Sequence, residues 1–146
     1  MIALLDINLL IALFDAAHVH HQTAHAWMAK NRALGWATCP ITQNGCIRVM
    51  SQSSYPGHLS VAEITRRLSS AAAVPEHIFW ADSVSLCDTG RFEADRILTP
   101  RTLTDIYLLG LAQKNGGRLV TFDRAIPLAG VPKAKARHLV VLRDKS

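Results

Sequence analysis

The sequence predicts an α/β fold, a three-layer α/β/α sandwich around a mainly parallel central sheet. Short apolar stretches of strand length alternate along the chain with longer segments of helical character, and strands separated by helices usually pair in parallel. The first stretch, residues 2–5, is apolar throughout and ends on Asp6, which is typical of a strand covered on both faces. The length of 146 residues, without repeats or a linker, predicts a single domain over residues 1–146.

The composition is that of a globular protein with a basic surface. Hydrophobic residues make up 49% of the chain and charged residues 18%, which excludes a disordered chain. The formal net charge of +5 gives the surface an excess of positive potential. That excess favours a polyanionic partner such as nucleic acid.

The N-terminal stretch and the cysteines predict a cytoplasmic protein without a membrane span. No basic segment or cleavage site precedes the first strand, and Asp6 interrupts the apolar run far short of the about 20 residues that a membrane span needs. The cysteines, Cys39, Cys46 and Cys87, are odd in number and lack CxxC spacing. We therefore expect buried free thiols in a reducing compartment.

The segments that follow the first strand alternate between helix and strand. Residues 7–14 are apolar except for Asn8 and predict a short buried helix. A second helix is expected over residues 18–31. Residues 35–39 predict a second buried strand, which Pro40 ends because proline cannot donate to a central ladder.

The middle of the chain predicts two further helices. The first is expected over residues 42–50 with Thr42 as its N-cap, and Gly45 within it indicates a close approach of backbone or ligand. Ser60 begins a capping box, which predicts a helix over residues 60–73.

The next segment has the least regular pattern of the chain. Within residues 74–86 the sequence allows a strand at residues 77–80. Residues 91–98 predict a helix with a mixed, solvated charged face.

The last part of the chain predicts a buried helix between two strand signals. Residues 106–112 are apolar all round, so this helix should be packed inside the domain. Either Thr102 or Thr104 can cap it, and Asp105 then lies in its first turn.

A second strand resembles the first in the way it ends. Residues 118–122 are predicted to form a strand that ends on Asp123, as the first strand ends on Asp6. Residues 139–142 predict a last strand, and residues 133–137 before it form a basic loop.

The acids at these strand ends are candidates for a cation site. In a parallel sheet Asp6 and Asp123 can lie on neighbouring strand ends, and Asp105 can reach them from the preceding helix. Such carboxylates repel one another unless a divalent cation neutralises them. Mg²⁺ or Mn²⁺ suits oxygen ligands and can activate a water for attack on a phosphodiester. Each acid taken alone is equally well explained as a helix cap.

Histidines near the second helix suggest a different metal site. They are His18, His20, His21 and His25. The last two are spaced i, i+4 on one helix face, but no acid follows at the spacing that a zinc helix uses. Half-buried amphipathic side chains explain the pattern better.

Three acidic motifs together resemble one protein family. They are LLDIN at residues 4–8, LTDIYL at residues 103–108 and TFDR at residues 121–124. In order and spacing they are similar to the acidic motifs of PIN-domain ribonucleases, in particular the VapC-type toxins of bacterial type II toxin–antitoxin modules.

The resemblance implies a single PIN-like domain that hydrolyses RNA phosphodiester bonds as a Mg²⁺- or Mn²⁺-dependent endoribonuclease. It implies that Asp6, Asp105 and Asp123 are catalytic metal ligands, supported by Asn8 and Thr121. It also implies an RNA substrate (tRNA, rRNA or mRNA), a small VapB-type antitoxin that blocks the site, and a homodimer.

One position departs from the family pattern. The family usually has a fourth acid at the start of its third helix, and the matching segment PITQNGCIRV at residues 40–49 carries Gln43 instead. An amide can support a cation but adds no charge, so we expect weaker metal binding. Asp82 either compensates for the missing acid or caps a turn. The alternative function is a PIN-fold protein that binds RNA or a partner without efficient cleavage.

Arginines near the motifs are candidate phosphate contacts. They are Arg48, Arg101 and Arg124. Solvated surface charge is the default explanation for each, and contact with RNA is the alternative.

Overall fold

The centre of the structure is a five-stranded sheet in which every pair of neighbouring strands is parallel. The strands are β1 (Ala3–Leu5), β2 (Trp36–Thr38), β3 (His77–Phe79), β4 (Arg118–Thr121) and β5 (Leu139–Val141). Their order across the sheet is β3-β2-β1-β4-β5. The computed structural model describes residues 1–144. Each predicted strand is confirmed, including the one at residues 77–80 that the sequence only allowed.

Helices cover both faces of the sheet. They are α1 (Ile7–Phe14), α2 (His21–Asn31), α3 (Pro40–Met50), α4 (Val61–Ala72) and α5 (Leu103–Lys114). Leu5 of β1 belongs to one core cluster with the helices α1 to α4, whereas its neighbour Leu4 belongs to a second cluster with α5. Since successive strand residues face opposite sides, the sheet separates two apolar cores. The predicted three-layer α/β/α arrangement is confirmed.

Two helix starts differ from the prediction. Helix α2 begins at His21 rather than at residue 18, because residues 15–20 form turns after α1. Helix α3 begins at Pro40, which suits the first helical position because its missing N–H needs no partner there. The prediction of Thr42 as the N-cap is therefore wrong; its hydroxyl instead accepts a hydrogen bond from the Cys39 N–H at 2.9 Å.

The helix predicted over residues 91–98 is not formed, and only a 3-10 turn over Ala94–Arg96 is present. Phe92 is buried against α5, and the Glu93 N–H donates to the carbonyl of Gly130 at 3.0 Å. This long-range bond replaces one that a helix would make.

The buried helix α5 forms as predicted, with Asp105 in its first turn. Neither candidate threonine caps it through its side chain, since Thr102 occupies the N-cap position and donates its hydroxyl to the carbonyl of Thr99. Cys39 and Cys46 are buried free thiols as expected, but Cys87 is exposed. Among residues 1–144, none of the helices has the length and apolar character that crossing a membrane requires.

Two glycines allow helices and side chains to approach closely. A Cβ on Gly45 would lie 2.4 Å from the Ile7 side chain, so the close approach that was expected of backbone or ligand is made there by a side chain of α1. A Cβ on Gly110 of α5 would lie 2.3 Å from the ring of Phe92. Both contacts are shorter than van der Waals distance, so a larger residue at either position would displace its neighbour.

Replacing Gly110→Ala should lower the free energy of unfolding by about 1–3 kcal/mol, because the added methyl overpacks the core against Phe92. Urea denaturation measures this change. In a Phe92→Leu background the shorter side chain makes room for the methyl, so Gly110→Ala should cost less than in the wild type. Equal costs in the two backgrounds would contradict the packing seen here.

Candidate active site

The predicted acids lie where the direction of the chain through the sheet reverses. From β1 the chain proceeds through β2 to β3 at one edge, and then crosses to β4 on the other side of β1. Asp6 follows β1 directly and Asp123 lies two residues beyond the end of β4. Such switch points form crevices at the carboxyl ends of parallel strands, where ligands bind.

Asp6 is a buried carboxylate whose two oxygens are both hydrogen-bonded. It is 3% exposed and occupies the N-cap position of α1. Its Oδ1 accepts from the Ile7 N–H at 2.7 Å, and its Oδ2 accepts from the Thr121 hydroxyl at 2.6 Å. Asp6 therefore caps α1, as the sequence suggested, and it also lies in the crevice at the end of the sheet.

The Thr121 hydroxyl connects the predicted site residues. It is fully buried and donates its single proton to Asp6. It accepts hydrogen bonds from Asn8 Nδ2 at 3.2 Å and from the Asp123 N–H at 3.0 Å. Asn8 Oδ1 in turn accepts from the Phe122 N–H at 3.2 Å. One hydroxyl thus fixes β1, α1 and the end of β4 relative to one another.

The carboxyl groups of the site interact strongly. Burial raises the pKa of Asp105 to about 7, with further contributions from the negative charge of Asp6 and from the contact with Asp123. Burial also raises the pKa of Asp6, against which the hydrogen bonds from Thr121 and the Ile7 N–H act in the opposite direction. Convergence of the three carboxyl groups therefore has a cost that a bound cation would relieve.

An open cleft of about 620 Å³ lies over these residues. The polar side chains that line it and matter here are Asp6, Asn8, Asn44, Arg48, Asp82 and Asp105. Asp123 is not among the lining residues, but its carboxyl group contacts that of Asp105. Its Oδ1 accepts from the Ala125 N–H at 2.8 Å.

The side chain of Gln43 is directed to the neighbouring strand. Its Nε2 donates to the Thr38 hydroxyl at 3.1 Å, and the same hydroxyl lies 2.8 Å from His77 Nε2. Asn44, the next residue on α3, lines the cleft in its place. Asn44 was not among the predicted site residues, although its position next to Gly45 near the start of a helix could have indicated it.

Asp82 lines the same cleft from the segment that follows β3. Its carboxylate is exposed and, within residues 1–144, accepts no hydrogen bond that would cap a turn. Of its two predicted roles, the one in the cleft is therefore the one compatible with its surroundings.

The three candidate arginines have different positions. Arg48 of α3 is exposed and lines the cleft. Arg101 lies in the 3-10 turn before α5, and Arg124 follows Asp123; both are exposed outside the cleft lining. Of the three, Arg48 is the one that lines the cleft beside Asp6 and Asp105.

The residues of the cleft fit a hard divalent cation by their chemistry. The donors are carboxylate, amide and hydroxyl oxygens, which Mg²⁺ and Mn²⁺ prefer. In the part of the chain that the structure describes, no three His, Cys, Asp or Glu side chains are grouped closely enough to hold an ion as they stand. An ion would therefore have to draw the carboxylates together.

The four histidines near α2 make structural contacts. His21 Nδ1 lies 2.7 Å from the carbonyl oxygen of Ala12, and His25 Nε2 lies 2.9 Å from that of Leu13. These are carbonyl groups at the end of α1, which lack partners within their helix. The His20 ring nitrogen Nδ1 lies 2.8 Å from Asp144 Oδ2, and the backbone N–H of His20 donates to His18 Nδ1. The contacts account for these histidines without a metal.

Known proteins resemble this chain over most of its length. The family model of the PIN domain matches residues 3–131. Ribonuclease VapC44 of Mycobacterium tuberculosis is 46% identical over 142 residues, which are 97% of this chain and 100% of the relative. Ribonuclease VapC38 of the same organism is 42% identical over 125 residues, 85% of this chain and 86% of the relative.

A solved structure shares the fold at low sequence identity. The crystal structure of Mycobacterium tuberculosis VapC20, a sarcin-ricin loop cleaving toxin, superposes with a TM-score of 0.62. It is 12% identical, and the match covers 90% of this chain and 98% of the other. This likeness supports the fold described above.

Replacing Thr121→Val should raise the pKa of Asp6 further, because the carboxylate loses the hydroxyl that stabilises its charged form. Carboxyl ¹³C NMR during a pH titration measures this pKa. Thr65→Val is the matched control, since its hydroxyl donates to the Val61 carbonyl on the exposed helix α4. An unchanged Asp6 titration in Thr121→Val would contradict the stabilisation of the charged Asp6 carboxylate by the Thr121 hydroxyl.

Replacing Asp105→Asn should stabilise the metal-free protein at pH 8, and the gain should shrink as the pH falls towards 5. The raised folded-state pKa means that the stability Asp105 contributes is present at low pH and is lost as the pH rises through about 7. Thermal denaturation in EDTA measures the difference. Asp95→Asn, at an exposed position outside the cleft, controls for the loss of one carboxylate. A gain in stability of Asp105→Asn that does not depend on pH would contradict the repulsion between Asp105 and its neighbouring carboxylates.

Proposed function

Because this chain belongs to the PIN-domain family, and within it to the VapC ribonucleases, we propose that it is a metal-dependent endoribonuclease that hydrolyses RNA phosphodiester bonds as the toxin of a type II toxin–antitoxin module. The proposal treats residues 1–146 as a single PIN-like domain. The observation that carries it is the arrangement of Asp6, Asp105 and Asp123 around the switch point of the sheet. The charges of Asp6 and Asp123 both act on Asp105, and the Thr121 hydroxyl is hydrogen-bonded to the Asp6 carboxylate and to the Asp123 N–H.

The three acids have the proposed role of catalytic metal ligands for Mg²⁺ or Mn²⁺. Such an ion, held by these residues, would neutralise charge on the phosphate and favour activation of a water for hydrolysis. Thr121 and Asn8 hold Asp6 and the end of β4 in place, so the negative charge faces the cleft before substrate arrives. Preformed charge of this kind avoids reorganisation during the reaction.

Cations around the cleft have the proposed role of binding the RNA backbone. Arg48 lines the cleft together with Asp6 and Asp105, and its guanidinium can bind a phosphate through two hydrogen bonds. Arg101 and Arg124 extend this positive surface outside the cleft. The net charge of +5 is consistent with such a substrate.

The partners proposed follow from the VapC class of the relatives. They are an RNA of the tRNA, rRNA or mRNA type, a VapB-type antitoxin that blocks the cleft, and a second copy of the chain in a homodimer. A protein with these partners works in the cytoplasm, where RNA and antitoxin are made.

The purified protein, freed of antitoxin, should cleave RNA in the presence of Mg²⁺ or Mn²⁺, and EDTA should abolish the cleavage. Asp6→Asn and Asp123→Asn should each lower the rate by roughly 100-fold or more, because each removes a charged metal ligand. Gel analysis of a defined RNA mixture measures these rates. Asp95→Asn, at an exposed position outside the cleft, is the control and should cleave like the wild type.

Cleavage that survives EDTA or either substitution would overturn the proposal of a metal-dependent enzyme. Binding of RNA without cleavage by the wild type would instead favour the alternative of a catalytically weakened PIN protein, for which Gln43 would be the cause.

A further inference from the structure

Gln43 occupies the position where the PIN-domain pattern has its fourth acid. Gln43 adds no charge, and its amide is hydrogen-bonded to Thr38 at 3.1 Å. Thr38 is itself fully buried and in contact with His77 at 2.8 Å. The side chain at position 43 is thus held against β2 and β3. The negative charge that an acid would supply at this side of the cleft must come from elsewhere or be lacking.

A different carboxylate lies at that side of the cleft. Asp82 lines it together with Asp6 and Asp105. The segment that carries it is fixed to the sheet, because the Trp80 N–H donates to the Thr38 carbonyl at 2.9 Å and the Trp80 side chain is buried. Asp82 follows this anchor by two residues. Its position is therefore set by the sheet, even though its side chain is exposed.

Asp82 borders the same cleft as two helix starts. It lines the cleft together with Pro40 and Ile41 at the start of α3 and with Thr104 and Asp105 at the start of α5. Its negative charge also contributes, less than burial does, to the raised pKa of Cys39, the N-cap residue of α3. Asp82 thus lies on the wall of the cleft that these two helix starts share.

Asp82 is also available to bind a ligand. Its carboxylate has no hydrogen bond or ion pair within residues 1–144, unlike the nearby Asp88, whose Oδ1 accepts from the Gly90 N–H at 2.9 Å. An exposed carboxylate without a structural partner can turn towards a ligand in the cleft without breaking an existing contact.

We propose that Asp82 supplies the fourth negative charge of the cation site, in place of the acid that Gln43 lacks. It acts on the divalent cation or on the water bound to it, from the β3 side of the cleft. The inference rests on the proposed function, because it assumes that Asp6, Asp105 and Asp123 hold a divalent cation.

Calorimetric titration of Mn²⁺ into the wild type, Asp82→Asn and Asp82→Glu tests the proposal. Loss of the charge in Asp82→Asn should weaken Mn²⁺ binding by about tenfold, whereas Asp82→Glu should stay within about threefold of the wild type. Asp95→Asn is the matched control, an exposed acid outside the cleft, and should bind like the wild type. Thermal melting should be the same for all four proteins, since Asp82 makes no structural contact.

The outcomes separate this inference from the proposed function. Mn²⁺ affinity of Asp82→Asn equal to that of the wild type would overturn the role of Asp82 and leave the ribonuclease proposal intact. A wild type that neither binds Mn²⁺ nor cleaves RNA would overturn both. Equal weakening in Asp82→Asn and Asp95→Asn would also overturn the inference, because it would show a general effect of net charge.

Discussion

The hydrogen bond from the Thr121 hydroxyl to the Asp6 carboxylate is the interaction on which the site depends. Asp6 is buried at the centre of the sheet, and a buried carboxylate stays charged only where donors compensate for the lost water. The hydroxyl has one proton and gives it to Asp6, so its remaining capacity accepts from Asn8 and from the backbone of Asp123. The strand ends therefore cannot separate without leaving several buried polar groups unsatisfied.

The same arrangement accumulates negative charge at one point, which works against stability. Beside the larger effect of burial, the charges of Asp6 and Asp123 raise the pKa of Asp105, and the charge of Asp123 raises that of Asp6. Folding energy from the apolar layers on both faces of the sheet offsets this repulsion. Functional sites are often locally unfavourable for folding. Here the repulsion between carboxylates is confined to a cleft that the start of the buried helix α5 borders.

The sequence was sufficient for those parts of the fold that local patterns determine. Apolar runs ending on Asp6 and Asp123 predicted two parallel strands whose ends meet, because burial on both faces requires such runs. The predicted helix over residues 91–98 failed since a long-range bond to Gly130 determines the backbone there. The direction of Gln43 could not be predicted either. One residue is about 100° of rotation around a helix, so the docking of α3 decides which side chain faces the cleft.

Helix α1 has only eight residues, too few to persist alone in water. Its first turn contains Asn8 and is capped by Asp6, and its last carbonyl groups are in contact with His21 and His25 of the next helix. A helix fastened at both ends by tertiary contacts has no partly unwound state of low energy. The Asp6 carboxylate at the start of α1 therefore keeps its position for as long as both ends of this helix stay packed.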